Sequence, residues 1–302
     1  VGESINANNQ SHLLILNIDP NGNELASIEF PVNGGNTAIR GVDLAINSMN
    51  EIKVTAFVDS TSNNYWVGTF NDNLENLPEC SFFYSAASTN PTMLKSTTIT
   101  QNDEVVFGIS GTQENGRNNG RLAKVPSCQN IPLSSPFIAS DGSAINYTTS
   151  SISPTLSGFA LVGTTNLRGN DDIFLARVND NGELLDEAPV AFDSENSGVD
   201  FSREEEGLAV VQAADGGLLI GGSSESNEDG GSDIVLIKTD FNGSVQWVQF
   251  YGDRNDEEAN IIAQAPGTGF MVLGTSEFGG INSLILIKTD RLGNVNKLLI
   301  VK

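Results

Sequence analysis

The chain repeats itself, and this repetition limits its possible folds more than any other feature. Residues 204–226, EEEGLAVVQAADGGLLIGGSSES, align without a gap on residues 256–278, DEEANIIAQAPGTGFMVLGTSEF. The segments that follow, 232–252 and 282–302, are also copies of each other. One unit is therefore about fifty residues long, a period typical of repeat architectures.

Each unit has the pattern of four short strands. In residues 204–252, short apolar stretches bounded by Gly-rich or polar turns predict strands at 207–213, 218–223, 233–239 and 245–251. In the turn DFNG, Asp240 is placed to bond its own backbone and Gly243 to take a positive φ, which predicts a tight hairpin. Four-stranded meanders without a helical period favour a β-propeller over a helical solenoid.

Weaker copies of the same pattern cover the rest of the chain. We therefore predict an all-β fold, a single β-propeller domain over residues 1–302, with six blades of four antiparallel strands. The predicted units are roughly 1–32, 37–85, 92–135, 144–192, 204–252 and 256–302. Seven blades or an incomplete ring are the alternatives. The N-terminal VGES matches the end of a second strand, so we expect the first blade to be incomplete and its first strand to precede Val1.

Three segments carry a family resemblance. DGGLLIGGSSES, GGSDIVLIKTDFNGSVQWVQFYG and NDEEANII resemble the repeat of secreted bacterial β-propeller proteins, many of them lipoproteins or cell-surface proteins of poorly known function. The resemblance is closest over residues 204–302 and is one of pattern alone in the first half. It implies an extracytoplasmic location, secreted, periplasmic or at the cell surface, and allows a lipid anchor upstream of Val1. It brings no catalytic residues.

The negative net charge of the chain limits the classes of partner that it can bind. With 15 Lys and Arg against 38 Asp and Glu, the net charge is −23, which disfavours nucleic acid and anionic membranes. No apolar run is long enough for a transmembrane helix. We expect a monomer whose partner is a glycan or an extracellular protein.

The side chains available for catalysis are few in kind. His12 is the only histidine, so Ser-His-Asp and Cys-His arrangements and histidine-rich metal sites are excluded. Carboxylates are abundant, and a glycoside hydrolase needs only a suitably spaced pair of them. We therefore expect a non-catalytic binding module, with a propeller-type glycoside hydrolase that uses loop carboxylates as the alternative.

Charged loops between the second and third strands are the expected binding surface. The candidate ligand-binding residues are Arg117, Arg168, Asp171, Asp172, Glu225, Glu228 and Asp229. No cofactor is expected, although the oxygen-rich loops 166–172 and 225–233 leave calcium as an alternative. The acids at 204–206 and 256–258 recur at equivalent positions of two units, which indicates a repeated structural role.

The chain has two cysteines, Cys80 and Cys128, whose spacing fits no metal site. They form either one disulfide or none. Both are expected at the outer part of adjacent blades, and an extracellular location favours the bridge.

Overall fold

The computed structural model of the chain describes residues 1–5, 11–31, 38–59, 64–85, 90–91, 96–100, 102–112, 118–125, 133–136, 147–166, 169–225, 231–265, 267, 269–278 and 281–301. Their strands form six small antiparallel sheets. The all-β prediction is therefore confirmed. The chain divides into two compact units, unit 1 at Val1–Pro136 and unit 2 at Phe137–Lys302. The prediction of a single domain stays a prediction.

Unit 1 contains three sheets. Sheet 1 consists of β1 (Gly2–Ile5), β2 (Ser11–Ile18) and β3 (Glu24–Phe30). Sheet 2 consists of β4 (Ala38–Ile46), β5 (Ile52–Asp59), β6 (Asn64–Phe70) and β7 (Phe82–Ser85). Sheet 3 consists of β8 (Asn90–Pro91), β9 (Thr97–Ile99), β10 (Val105–Thr112), β11 (Asn118–Val125) and β12 (Leu133–Pro136), with β8 and β9 both paired to β10.

Unit 2 contains three four-stranded sheets whose strands follow chain order. Sheet 4 consists of β13 (Tyr147–Thr155), β14 (Gly158–Thr165), β15 (Asp172–Val178) and β16 (Val190–Ala191), followed by the helical turn α1 (Ser194–Ser197). Sheet 5 consists of β17 (Glu205–Gln212), β18 (Leu218–Ser224), β19 (Asp233–Thr239) and β20 (Val245–Tyr251). Sheet 6 consists of β21 (Asp256–Gln264), β22 (Phe270–Phe278), β23 (Ile281–Thr289) and β24 (Val295–Val301).

The strands predicted in sheet 5 agree closely with the structure. The bounds of β19 and β20 are as predicted, and those of β17 and β18 differ by at most two residues. The helical turn α1 was not predicted. It begins after Asp193, whose carboxylate accepts hydrogen bonds from the backbone N–H groups of Glu195 and Asn196. Only local capping therefore distinguishes this segment from a loop.

The core of unit 1 lies between successive sheets. Between sheets 1 and 2 the buried side chains include Leu13, Ile15, Val54 and Trp66. Trp66 stacks on Phe30 with ring centroids 5.7 Å apart. A second cluster, between sheets 2 and 3, is built from Phe57, Tyr65, Val67, Val105, Phe107, Ala123 and Val125. The placement of Trp66 between sheets agrees with the pattern expected of stacked blades.

The core of unit 2 repeats the same arrangement. The strand β17 packs on β13, β14 and β15, and β21 packs on β17, β18 and β19. Each first strand therefore lies on the face of the preceding sheet. Ile234, Leu236 and the rest of β19 are buried, with alternate residues pointing to the two neighbouring sheets. In sheet 6 only alternate residues of β23 are buried, and Leu284 is 51% exposed.

Seven turns in the described part of the chain share one hydrogen-bonding pattern. Asp240 Oδ1 accepts the backbone N–H groups of Asn242 at 2.8 Å and Ser244 at 2.9 Å, and Gly243 has φ +86°. The turn chemistry predicted for DFNG is confirmed. The same side-chain lock, an oxygen at the first turn residue accepting the N–H groups two and four residues later, occurs at Asp19, Asn47, Asn71, Thr100, Asn179 and Asp290. We call these contacts the turn locks.

Candidate functional site

Most of the predicted acids of unit 2 lie at the end of the sheets opposite the turn locks. Here the second strands end, the third strands begin, and the chain passes to the next sheet. We call the contact region between sheets 4 and 5 the first junction and that between sheets 5 and 6 the second junction. Both are built around two consecutive acids at the start of a first strand.

At the first junction, Glu204 and Glu205 form hydrogen bonds with the backbone of Asp171, the residue that precedes the third strand of sheet 4. Glu204 Oε2 accepts the backbone N–H of Asp171 at 3.0 Å. The backbone N–H of Glu205 donates to the carbonyl oxygen of Asp171 at 2.8 Å. Both polar backbone groups of Asp171 are thus satisfied across the junction, which ties sheet 5 to sheet 4.

The second junction has the same pair of hydrogen bonds, formed by different residues. Asp256 Oδ1 accepts the backbone N–H of Ser232 at 3.0 Å. The backbone N–H of Glu257 donates to the carbonyl oxygen of Ser232 at 2.5 Å. The structural role predicted for the acids at 204–206 and 256–258 is therefore confirmed for the first two acids of each set.

The second acid of each pair is buried and bonded within its own sheet. Glu205 is 2% exposed and accepts a hydrogen bond from Ser224 Oγ at 3.2 Å. Glu257 is 3% exposed and accepts one from Ser276 Oγ at 2.6 Å. The serine stands opposite the glutamate in the strand register in both sheets. Hydrogen bonds to a charged group offset part of the cost of burying the carboxylate.

A third acid is buried at the first residue of each third strand. Asp172 opens β15 and Asp233 opens β19, and both are fully buried. A Cβ added to Gly252 would meet Asp233 Oδ1 and lie 2.6 Å from Glu257 Oε2. The two carboxyl groups of the second junction therefore converge on Gly252, and only a residue without a side chain fits there.

Three acids at the first junction form a cluster that reaches the surface. Asp171 and Glu204 are exposed and Glu206 is half-buried. Desolvation raises the pKa of Asp171, and the negative charges of Glu204 and Glu206 raise it further. We call these three residues the acidic cluster. A carboxyl group with a raised pKa beside two other carboxylates is able to hold a proton closer to neutral pH than an isolated aspartate.

Two neighbouring segments border the acidic cluster. Arg203 Nη1 donates to the carbonyl oxygen of Glu225 at 3.2 Å. The backbone N–H of Glu225 donates to the carbonyl oxygen of Glu204 at 3.0 Å. Asn170 Nδ2 donates to the carbonyl oxygen of Arg203. Among the described residues, the exposed charged groups at this surface are therefore carboxylates and the guanidinium of Arg203, which was not among the predicted residues.

The structure brings together some of the predicted site residues. Asp171, Asp172 and Glu225 all lie at the first junction, although Asp172 is buried and does not reach the surface. The remaining predicted residues, Arg117, Arg168, Glu228 and Asp229, lie outside the described residues. The ligand-binding role of these residues stays a prediction.

Asp43, in unit 1, is an acid that sequence reasoning missed. Asp43, in β4, accepts the backbone N–H of Thr97, in β9, at 2.6 Å through Oδ2. Burial raises the pKa of Asp43. A polar residue among the alternating apolar residues of a first strand was the available signal.

Cys80 lies in a short 3-10 turn, Pro78–Cys80, and is disulfide-bonded. The chain has one other cysteine, Cys128, which lies outside the described residues. The pairing of the two stays a prediction.

The described part of the chain contains no group of three or more His, Cys, Asp or Glu residues that could hold a metal ion. Calcium binding by loops 166–172 and 225–233, which are only partly described, stays a prediction. No described helix is long and apolar enough to cross a membrane.

Comparison with known proteins gives structural matches only. No protein-family model and no curated protein sequence matches the chain. A protein of unknown function from Dyadobacter fermentans is similar in structure, with TM-score 0.61, 10% identity, and 88% of this chain and 83% of that chain covered.

Two further structures are also similar. A Hadza microbial sialidase has TM-score 0.54 and 11% identity, and the match covers 87% of this chain and 57% of the sialidase. A mutant of Synechocystis apocarotenoid oxygenase has TM-score 0.53 and 9% identity, and the match covers 97% of this chain and 68% of that one. At such identities the likeness concerns the fold alone. With the small antiparallel sheets, it supports a propeller-like all-β fold.

Proposed function

We propose that this chain is an extracytoplasmic β-propeller of six four-stranded blades, the first of them incomplete, that binds a glycan without catalysis. The ligand surface is the end of sheets 4 and 5 that carries the acidic cluster, Arg203 and Glu225. A protein with hydroxyl or amine groups at its surface is the alternative partner. This proposal includes the relation to secreted bacterial propeller proteins described above.

The proposal rests on the difference between the buried acids, which are bonded within the fold, and the exposed acids. Glu205 and Glu257 are buried and bonded to serines of their own sheets. The side chain of Asp171, by contrast, is exposed, although its backbone is fully used by the junction. The corresponding residue of the second junction is Ser232, so the architecture does not require a carboxylate there. An exposed charge that the fold does not need is available for a ligand.

The chemistry of this surface suits a hydroxyl-rich ligand. Carboxylates accept hydrogen bonds from hydroxyl groups, and the Arg203 guanidinium donates them to ring or hydroxyl oxygens. The charge of −23 makes phosphate-rich or strongly acidic ligands unfavourable. A neutral glycan fits these conditions.

The extracytoplasmic location is supported by Cys80. This residue is disulfide-bonded, and disulfides persist in secreted and cell-surface proteins but are rare in a reducing cytosol. Mass spectrometry of the protein purified from its native host, with and without reductant, tests the location. An unreduced protein whose mass corresponds to two free thiols, two hydrogens more than the disulfide form, would contradict the proposed location.

A glycan array screened with the intact protein tests binding. Asp171→Asn and Glu206→Gln remove charge from the acidic cluster without touching the bonds of Glu204 and Glu205, and we expect each to weaken binding several-fold. Glu258→Gln is the matched control, because Glu258 occupies at the second junction the position of Glu206. Equal binding by all variants, or no glycan bound at all, would contradict the proposal.

The alternative is a propeller-type glycoside hydrolase. What favours it is the raised pKa of Asp171 beside Glu204 and Glu206, since glycoside hydrolysis pairs a protonated carboxyl with an ionised one. Release of reducing sugar from any glycan that binds distinguishes the two functions. Turnover abolished by Asp171→Asn, with binding retained, would establish the hydrolase.

A further inference from the structure

The outer strand of sheet 6, β24, differs from the other described outer strands in its length, its sequence or its lack of cover. The strands β16, β7 and β12 are two to four residues long, and β12 ends in Pro136. The seven-residue β3 carries Glu24 and Glu29. All of these are features that discourage pairing with another strand.

The strand β20 is as long as β24 but is covered. Helical turn α1 packs against it, Trp247 lies against Phe270, and the Tyr251 hydroxyl donates to the carbonyl oxygen of Gly293. Its side chains are accordingly half-buried for the most part.

The strand β24 is seven residues long, and Lys297 is its one charged residue. Its sequence, VNKLLIV, has no proline and no acid, and Val295, Leu298 and Leu299 are 49%, 53% and 46% exposed. Among the described residues it pairs with β23 alone, and no described strand lies along its second edge. A long apolar edge of this kind is a template for another strand.

The charge distribution favours a second copy of this chain as the occupant. A net charge of −23 makes most of one copy repel another. The strands β23 and β24 are an exception, because they contain Lys288 and Lys297 and no Asp or Glu. Two copies that meet at β24 therefore meet at an edge whose two outer strands carry no acid.

The sequence of β24 is also compatible with itself in antiparallel register. Pairing centred on Leu298 places Lys297 of each copy opposite Leu299 of the other and keeps the two lysines from facing each other. The β-branched residues Val295 and Val301 pair at the ends.

We propose that β24 pairs antiparallel with β24 of a second copy and joins the two C-terminal sheets into one continuous eight-stranded sheet. This proposal goes beyond the glycan-binding function and replaces the monomer expected from the overall charge. The contact is small, so we expect a weak dimer that forms at about 100 μM and dissociates on dilution.

Sedimentation velocity over a range of protein concentrations tests the dimer. Leu299→Lys places a lysine opposite Lys297 at both symmetric positions, and we expect it to weaken association roughly ten-fold or more. Leu156→Lys makes the same change at a residue 91% exposed in the β13–β14 turn, and should leave association unchanged.

The register has its own test. Adding Lys297→Glu to Leu299→Lys places opposite charges across the pair and should restore the dimer. Circular dichroism and the melting temperature establish that each variant is folded. A monomer at every concentration, a dimer insensitive to Leu299→Lys, or a double variant that is not restored would overturn the proposal.

Discussion

The first and second junctions of unit 2 share their backbone hydrogen bonds and differ in the side chains around them. Asp171 and Ser232 are held by the same two contacts from the next sheet, yet one is an acid and the other a neutral hydroxyl. After the fourth strand, the first junction continues into α1 and the second into Gly252. The comparison shows that the two junctions share their backbone contacts, whereas the exposed side chain at the equivalent position differs.

The largest expected effect is the loss of a buried glutamate. Glu257→Ala and Glu205→Ala should each lower the free energy of unfolding by about 1–3 kcal/mol, because each removes the acceptor of a serine hydroxyl of its own sheet. Glu257 also accepts the backbone N–H of Asp253. Urea denaturation measures both variants. Glu257→Gln retains an acceptor and should lose less than Glu257→Ala; an equal loss would contradict this explanation.

A methyl group at Gly252 should be the next most costly change. The added Cβ would displace the buried carboxyl groups of Asp233 and Glu257, so we expect Gly252→Ala to cost about 1–2 kcal/mol, as overpacking does. Gly2→Ala is the control, because no atom lies within 4 Å of its added Cβ. Differential scanning calorimetry of both variants makes the comparison, and a cost similar to that of the control would refute the convergence on Gly252.

The serine bonds should rank by their length. Ser276 donates to Glu257 at 2.6 Å and Ser224 to Glu205 at 3.2 Å. We expect Ser276→Ala to cost about 1–1.5 kcal/mol and Ser224→Ala about 0.5 kcal/mol. Urea denaturation checks this order. An equal or reversed order would contradict the link between bond length and stability.

The smallest expected effect on stability comes from the charge of Asp171, which the second junction lacks because Ser232 stands there. The folded-state pKa of Asp171 is raised, so the unfolded chain binds its proton less tightly and stability falls as pH rises through the folded pKa. Asp171→Ser, which copies Ser232, should therefore stabilise the protein by a few tenths of a kcal/mol at about pH 7.

The gain should vanish at about pH 3, where Asp171 is protonated in both states. The reciprocal change, Ser232→Asp, should destabilise at neutral pH. Thermal melts at the two pH values measure both, and a gain from Asp171→Ser that does not depend on pH would contradict the electrostatic cause.

Local chemistry made much of this fold predictable. Strands β19 and β20 and the lock at Asp240 follow from apolar pattern and from the D-x-N-G turn, both of which act over a few residues. The recurrence of paired acids predicted the structural role of Glu204 and of Asp256, which occupies the equivalent position in the next unit.

Other features depend on contacts that sequence spacing does not reveal. Leu74 takes φ +63°, although leucine is unfavourable there, because its side chain is buried between sheets 1 and 2. The turn lock at Asn71 holds the same turn closed. The approach of Arg203 to Glu225 and the burial of Asp43 likewise depend on how sheets pack.

The turn locks have a consequence for the order of folding. Each joins groups only two and four residues apart, so little chain entropy is lost when it closes. The hairpins are thus expected to form within microseconds as local units. The junctions join residues such as Asp171 and Glu204, over thirty positions apart, and must wait for whole sheets to meet. In unit 2, one end of each sheet is therefore expected to form early, and the end at the junctions is expected to form late.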